Sequence, residues 1–317
     1  MATVHWGQHA PAEKLLVHLS DTHFLADAAA LYGTVDTDHT VHRALEQLHR
    51  SGICPDAIVL TGDVADRGEA DAYRRIRDIV EAAAAEWEAK IIWVMGNHDK
   101  RAAFRSTLLR QRHSGESADA ADRGAVDQGT GNQDPVDQVH VIDGLRVIAL
   151  DTSVPGYHHG EVSDAQLEWL RAVLSTPARH GSILALHHPP IPTPIPLMKV
   201  LELQDQPRLA AILAGSDVRA ILGGHLHYST QGMFAGIPVS VAAATCYTMD
   251  LSAPERELIG VNGGQTINLV HVYADQITHS QVPLGAFATV TQFPSDYVDQ
   301  LGVLTPGERL QAFSRQR

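Results

Sequence analysis

The sequence predicts an α/β protein whose buried strands carry polar chemistry at their carboxyl ends, and three observations support this. Five short apolar runs, at residues 15–20 (LLVHLS), 57–61 (AIVLT), 91–95 (IIWVM), 182–186 (SILAL) and 218–222 (VRAIL), read as strands buried on both faces. Helical periodicity fills the gaps between the first three. A polar cluster stands just after each run: Asp21-Thr22-His23, Gly62-Asp63, Gly96-Asn97-His98-Asp99, His187-His188 and Gly224-His225-Leu226-His227. In open α/β sheets, ligands bind in the crevice outside the carboxyl ends of the strands.

The elements follow in order. After the strand at 15–20, apolar residues recur at three- and four-residue intervals from Val41 to Leu48, which predicts a helix. The strand at 57–61 leads into an Ala- and Glu-rich helix over 69–90, which feeds the strand at 91–95. This β-α-β-α-β order is that of a sheet covered by helices. Residues 112–138 are rich in Gly, Ser, Asp and Ala and predict a mobile acidic insertion, since strand patterns resume at once. Asp143-Gly144 predicts a hairpin turn between VHVI and LRVIAL. An amphipathic helix is expected over 163–175, with Ser163 as its N-cap. The proline-rich stretch 187–198 predicts a rigid loop, and residues 236–249 and 266–284 a closing set of antiparallel strands. One domain over 1–292 and a weakly patterned tail over 293–317, with a short helix at 306–314, complete the expectation.

Composition narrows the function. The 317 residues, 44% hydrophobic and 19% charged, suit a soluble globular protein. A formal net charge of −13 repels polyanions, and no Lys/Arg run offsets it, so duplex nucleic acid is not an expected partner. A small anionic substrate stays open, because bound divalent cations dominate the field around them. No apolar stretch reaches the roughly 20 residues of a membrane span, and the N-terminus lacks a signal-peptide pattern, so a cytoplasmic location is expected. Cys54 and Cys246 are far apart and predict two buried or half-buried thiols rather than a disulfide framework.

Asp, His and Asn converging from five strand ends offer mixed oxygen and nitrogen donors, suited to divalent transition metals. In their order D-x-H, G-D, G-N-H-D, H-H-P-P and G-H-L-H, over residues 15–245, they resemble the calcineurin-like metallophosphoesterase superfamily. Flanks such as LYGTVDTD, WVMGNHDKR, LDTSVPGYHHGE and GIPVSVAAATCYT are similar to the class III cyclic-nucleotide phosphodiesterases of actinobacteria. The resemblance implies a four-layer α/β/β/α double-sheet sandwich with a dinuclear centre on its rim. It assigns one metal to Asp21, His23, Asp63 and His227 and the other to Asp63, Asn97, His187 and His225. Asp63 would bridge, as a shared carboxylate can for two cations about 3.5–4 Å apart. Fe and Mn are the implied ions, with Zn or Co as alternatives. Asn97 and His98 would act in catalysis, His98 as the general acid, and both would contact substrate together with Asp66.

The implied reaction is hydrolysis of 3′,5′-cyclic AMP to 5′-AMP, extending to cyclic GMP, 2′,3′-cyclic nucleotides and other phosphodiesters, by a homodimer. The rivals are a phosphodiesterase for another small substrate, such as a glycerophosphodiester, and an envelope-associated binding or scaffold protein with incidental hydrolysis, docked peripherally through its tail. Gly62, Gly96 and Gly224 are expected to let the backbone turn sharply before the ligands. His18 reads as a core histidine, His188 as a support rather than a ligand, and His158 and His159 as surface. Asp99 would orient a histidine or cap the following helix. No aromatic cluster stands out, so the nucleobase is expected to meet few determinants.

Overall fold

The computed structural model describes residues 6–110 and 133–316. The part of the expected acidic insertion from 112 to 132 lies outside the described residues. Strands β1 (Lys14–Leu19), β2 (Ala57–Thr61) and β3 (Lys90–Val94) alternate with helices α1 (Thr37–Ser51) and α2 (Ala70–Trp87), and α3 (Arg101–Thr107) follows β3. The hairpin β4 (Gln138–Ile142) and β5 (Leu145–Leu150) leads through α4 (Asp164–Leu174) to β6 (Ser182–Leu186). Next come the short α5 (Pro196–Lys199), α6 (Gln206–Leu213), β7 (Val218–Gly223), β8 (Thr230–Phe234) and β9 (Ile237–Val241). A two-stranded ribbon of β10 (Thr248–Met249) and β11 (Gly260–Val261) precedes β12 (Thr266–Val272) and β13 (Ile277–Pro283).

These strands form two sheets, ordered β13-β12-β1-β2-β3 and β4-β5-β6-β7-β9-β8. The alternation of side chains along a strand sorts each sheet's residues between two cores. Leu16, Val59, Ile92, Val147, Ile183 and Val270 fill the space between the sheets. On the outer face of the first sheet, Val17, Leu19, Ile58 and Leu60 meet Leu45 and Leu48 of α1 and Tyr73, Ile76 and Val80 of α2. On the second, Ile148, Leu150, Leu184 and Leu186 meet Leu167 and Leu170 of α4 and Leu209 and Leu213 of α6. Each such side chain contributes about 1.5–3 kcal/mol on burial. The result is the expected four-layer α/β/β/α sandwich.

Local signals account for the helix ends. Asp36 accepts from His39 N at the start of α1, and Gly52, at φ 74°, closes it. Ser163 caps α4 as predicted and forms a full capping box with Gln166. The closing strands differ from expectation in one respect. β9 pairs antiparallel with β8 but parallel with β7, so the set is mixed. Helices α3 and α6 escape the periodicity reading because 7 and 8 residues give too few turns to establish a period.

Contacts divide the chain into two compact units, Glu13–Leu284 and Met1–Ala12 together with Gly285–Arg317. The tail therefore separates at 284 rather than 292, and the N-terminal segment belongs with it. Within that second unit the Arg309 guanidinium lies 5.0 Å from the Trp6 ring. Its helices are α7 (Ser295–Gly302), which the sequence did not reveal, and α8 (Pro306–Arg309), which runs into a π-helical turn at Leu310–Ser314 as expected for 306–314. No helix among the described residues is long and apolar enough to cross a membrane.

Candidate metal centre

The five polar clusters meet at the carboxyl ends of β1, β2, β3, β6 and β7, and backbone bonds lock the loops together. Asp21 N donates to Gly62 O and His23 N to Asp63 O, so the chain beyond β1 runs along the chain beyond β2. Gly224 N donates to His187 O, and Met249 N to His227 O. Asp21, His23, Asp63, His225 and His227 all adopt left-handed backbone, with φ of 51°, 47°, 48°, 69° and 57°. That region costs a side-chain-bearing residue about 1–2 kcal/mol, which the surrounding network must hold in place. The glycines act differently from expectation. Only Gly62 needs a positive φ, of 91°. Gly96 and Gly224 are required for close approach instead: a Cβ on Gly96 would sit 2.2 Å from Asp63 Oδ1, and one on Gly224 1.9 Å from Ser20 Oγ.

Ligand atoms of Asp21, His23, Asp63 and His227 lie within 4.8 Å of one another. His23 Nε2 is 3.3 Å from His227 Nε2 and 3.5 Å from Asp63 Oδ2, and His227 Nε2 is 3.4 Å from Asp21 Oδ1. On the other side of Asp63, His187 Nε2 lies 3.3 Å from Asp63 Oδ2 and 3.0 Å from Asn97 Oδ1. The His225 ring stands 5.0 Å from the His187 ring. Asp63 sits between the two groups.

The second nitrogen of each imidazole decides what the first can do. His23 Nδ1 pairs with Asp66 Oδ1 at 3.0 Å, His187 Nδ1 with Thr61 O at 2.7 Å, and His227 Nδ1 with Tyr247 O at 3.1 Å. His225 is reversed, its Nε2 donating to Leu201 O. Each bond places the proton on the outer nitrogen and leaves an inward lone pair, the arrangement found behind metal-binding histidines. Lone pairs gathered around buried carboxylates repel unless a cation lies between them, so these residues fit a pair of metal ions. His188 does not join them. A nitrogen of His188 lies within 4.8 Å of those of His187 and His225, but its Nδ1 pairs with the Thr152 hydroxyl and its Nε2 with His158 O, so both nitrogens already have partners.

Burial pulls the His227 imidazole down to about 4, keeping it neutral. Burial also pulls His187 down, but the adjacent Asp63 carboxylate reverses this and lifts it to about 9. A proton and a cation therefore compete for the same nitrogen, and metal uptake there releases the proton. Burial pushes Asp63 up, yet the imidazoles around it, His187 foremost, hold it well below the usual carboxylate range.

The remaining polar residues frame this cluster. Asp99 neither orients a histidine nor caps α3, which starts from Lys100. Its carboxylate accepts from the backbone N–H groups of Val64, Ala65 and Gly96 and from the Tyr73 hydroxyl, stitching two of the loops together. Asp66 is committed to His23, with its side chain 15% exposed. His98 N donates to Asp63 Oδ1, and its half-buried ring pairs through Nδ1 with Asp66 O at 2.8 Å. His158, read from the sequence as surface, is exposed but pairs with Asn97 Nδ2 at 2.8 Å and stands 5.1 Å from the His98 ring. The GYHHG stretch gave no positional signal for this, because β3 and the loop after β5 meet only in the folded sandwich. Buried Cys246 packs behind His227, 3.8 Å from Nδ1, with burial pushing its thiol up, whereas Cys54 is exposed rather than half-buried.

The chain matches the calcineurin-like phosphoesterase family over residues 15–229. It is 51% identical over 288 residues to a cAMP/cGMP dual specificity phosphodiesterase of Mycobacterium tuberculosis, covering 91% of this chain and 85% of that protein. It is 52% identical over 288 residues to a probable cyclic nucleotide phosphodiesterase of Rhodococcus erythropolis, covering 91% and 89%. Among solved structures it is similar to a dimetal phosphatase from Danio rerio, with a TM-score of 0.59 and 15% identity over 86% of this chain and 97% of that one. At that identity the likeness is one of fold.

Proposed function

This chain belongs to the calcineurin-like phosphoesterase family, and from that premise we propose that it hydrolyses 3′,5′-cyclic AMP to 5′-AMP, with cyclic GMP, 2′,3′-cyclic nucleotides and simpler phosphodiesters as further substrates. The observation that carries the reading is the set of inward imidazole lone pairs converging on buried Asp21 and Asp63. The relatives from Mycobacterium and Rhodococcus supply the substrate class.

Asp21, His23, Asp63 and His227 would hold one cation and Asp63, Asn97, His187 and His225 the other. Carboxylate, imidazole and one amide oxygen suit Fe and Mn, or Zn or Co, better than Mg. Bound there, the pair supplies Lewis acidity and an activated water. Asp66 orients His23 rather than contacting substrate, since its Oδ1 already accepts from the ring. His187 and Asn97 fix each other, and His158 fixes the Asn97 amide from the open side. His98 donates through Nδ1 to Asp66 O, which leaves Nε2 to carry the catalytic proton. In the reaction, water oxygen bonds to phosphorus and releases a proton to solvent, the P–O3′ bond breaks, and the departing O3′ takes a proton from Nε2 of the doubly protonated His98 ring, which solvent then restores.

Metal analysis joined to a substrate panel tests this. The expected result is about two transition-metal ions per chain and turnover of cyclic AMP above that of glycerophosphodiesters and phosphomonoesters. Preference for a glycerophosphodiester or a monoester would overturn the substrate assignment, and full activity without metal the whole reading.

A further inference from the structure

A hollow of about 330 Å³ has in its wall Tyr247, the residue that packs against His227 of the metal cluster. Tyr247 touches both. Its carbonyl accepts from His227 Nδ1, and its ring lies 4.5 Å from the His227 ring, centroid to centroid. The other walls include Tyr32, Val35, Met249, Leu258 and Val261, with Thr34 and Asn262 as polar members. The volume falls at the lower end of the range for small-molecule pockets.

The hollow is built as a platform. Tyr247 is held in place, because Gly260 passes so close that a Cβ there would lie 2.7 Å from its ring. Tyr32 meets Tyr247 edge-on at 5.6 Å yet is 73% exposed, leaving a large aromatic surface open. Leu258 and Val261 are also exposed, at 42% and 39%. A cluster of open apolar side chains beside a reactive centre marks a binding surface rather than a core. Asn262 Oδ1 accepts from Gln265 Nε2, which turns its amide into a donor.

We propose that this hollow holds the purine base of the nucleotide whose phosphate lies on the metal cluster, with Tyr32 as the stacking face, Tyr247 as the fixed wall and Asn262 as a donor. The inference rests on the cyclic-nucleotide reading above and makes it more specific. The occupant follows from position and chemistry. Tyr247 links the two places, its ring 4.5 Å from the His227 ring and in the wall of the hollow, and the group a nucleotide extends beyond its phosphate and ribose is its base. An open aromatic face accepts any base, because each has a π surface. An amide donor meets ring nitrogens that adenine and guanine share. The hollow therefore selects a base over no base and discriminates weakly between the two purines.

The test compares metal-loaded wild type with Tyr32→Ala and Tyr32→Phe, whose exposed position removes folding as a concern. Dissociation constants of 5′-AMP and ribose 5-phosphate are measured for each, beside steady-state hydrolysis of cyclic AMP. Wild type should bind 5′-AMP about 5- to 100-fold more tightly than ribose 5-phosphate, the range expected for one stacked base. Tyr32→Ala should close most of that gap and Tyr32→Phe should preserve it, with the loss on cyclic AMP falling on KM more than on kcat. No gap in wild type, or a gap that Tyr32→Ala leaves intact, overturns the inference even where cyclic AMP is hydrolysed. Failure of wild type to hydrolyse any cyclic nucleotide, with the Tyr32-dependent gap present, removes the proposed reaction and leaves the base site standing.

Discussion

Asp63 is 2% exposed, accepts from His98 N and lies within reach of two imidazoles, whereas Tyr32, edge-on to Tyr247, leaves 73% of its surface open. The metal cluster is over-determined. Every ligand imidazole is oriented by a second bond, and five residues are held in backbone they would not adopt alone. The hollow is fixed by Tyr247 against Gly260 and by buried Val35, while Tyr32, Leu258 and Val261 stand open to solvent. The contrast follows from what each must do. Charge stabilisation at a reacting centre needs preorganised groups that do not relax, while stacking on a base tolerates small displacements. Substitutions should therefore cost most in the cluster and grade downward toward the rim.

Four predictions sharpen or break that gradient, and a fifth concerns stability outside it. Asp63→Ala should be the most damaging change, because one carboxylate lies between both metal positions. Bound metal and activity on every phosphodiester should fall to background, with circular dichroism unchanged. Retained activity at full metal content would break the two-metal assignment. Asn97→Ala and His187→Ala should empty one position preferentially, regaining activity in excess Mn.

His98→Ala should keep both metals yet slow cyclic AMP hydrolysis by about 10²–10⁴-fold, the scale of general acid catalysis. The loss should shrink for a nitrophenyl ester, whose leaving group needs no proton. Equal losses on the two substrates would point to a hydrogen bond to phosphate instead.

Asp66→Ala should cost about 10–100-fold in metal affinity at the position His23 serves, the usual penalty for removing a group that orients a ligand. A Co(II) titration followed by absorbance reads this directly. An unchanged affinity with a raised KM would return Asp66 to the substrate-contact role read from the sequence.

The smallest effect concerns stability, at a carboxyl outside both regions. Asp137 Oδ1 accepts from Asp151 N and Gln166 Nε2, and burial, then the neighbouring Asp151 charge, raises it to about 7. A carboxyl raised in the fold stays protonated there while the unfolded chain ionises near 4. It therefore costs stability increasingly as pH rises from about 4 to about 7, and fully above that. Asp137→Asn keeps both accepted bonds and removes the charge. Its melting temperature should exceed wild type by about 2–8 °C at pH 8 and converge with it near pH 4.

The same contrast explains what the sequence revealed. The cluster was legible because each ligand sits within a few residues of a strand end, inside a short segment with its own apolar run and turn. The two-sheet arrangement came with the family resemblance rather than from periodicity, which cannot tell which sheet a strand joins. The parallel pairing of β9 with β7 was hidden for that reason. Tyr32 and Tyr247 stand far apart in the chain and in unlike surroundings, so nothing local signals that they meet. His158 and Asn97 pose the same problem. The pairing of Asp66 with His23 was hidden because a carboxylate beside a metal motif looks alike whether it faces substrate or the back of a ligand.

The spread of the ligands along the chain also governs when the centre can exist. His23 and His227 are 204 residues apart, and β1 finds its partner β12 only at residues 266–272. At a synthesis rate of about 5–20 residues per second, the first ligands emerge some 10–40 seconds before the last. Asp21 and His23 can gain their loop bonds to Gly62 and Asp63 early, but through most of that interval they lack the histidines that complete the cluster. The cage can close only after both sheets are assembled, which makes metal capture a late fastening event rather than a nucleus. A chain released before residue 227 would have most of its strands and no complete place for a cation.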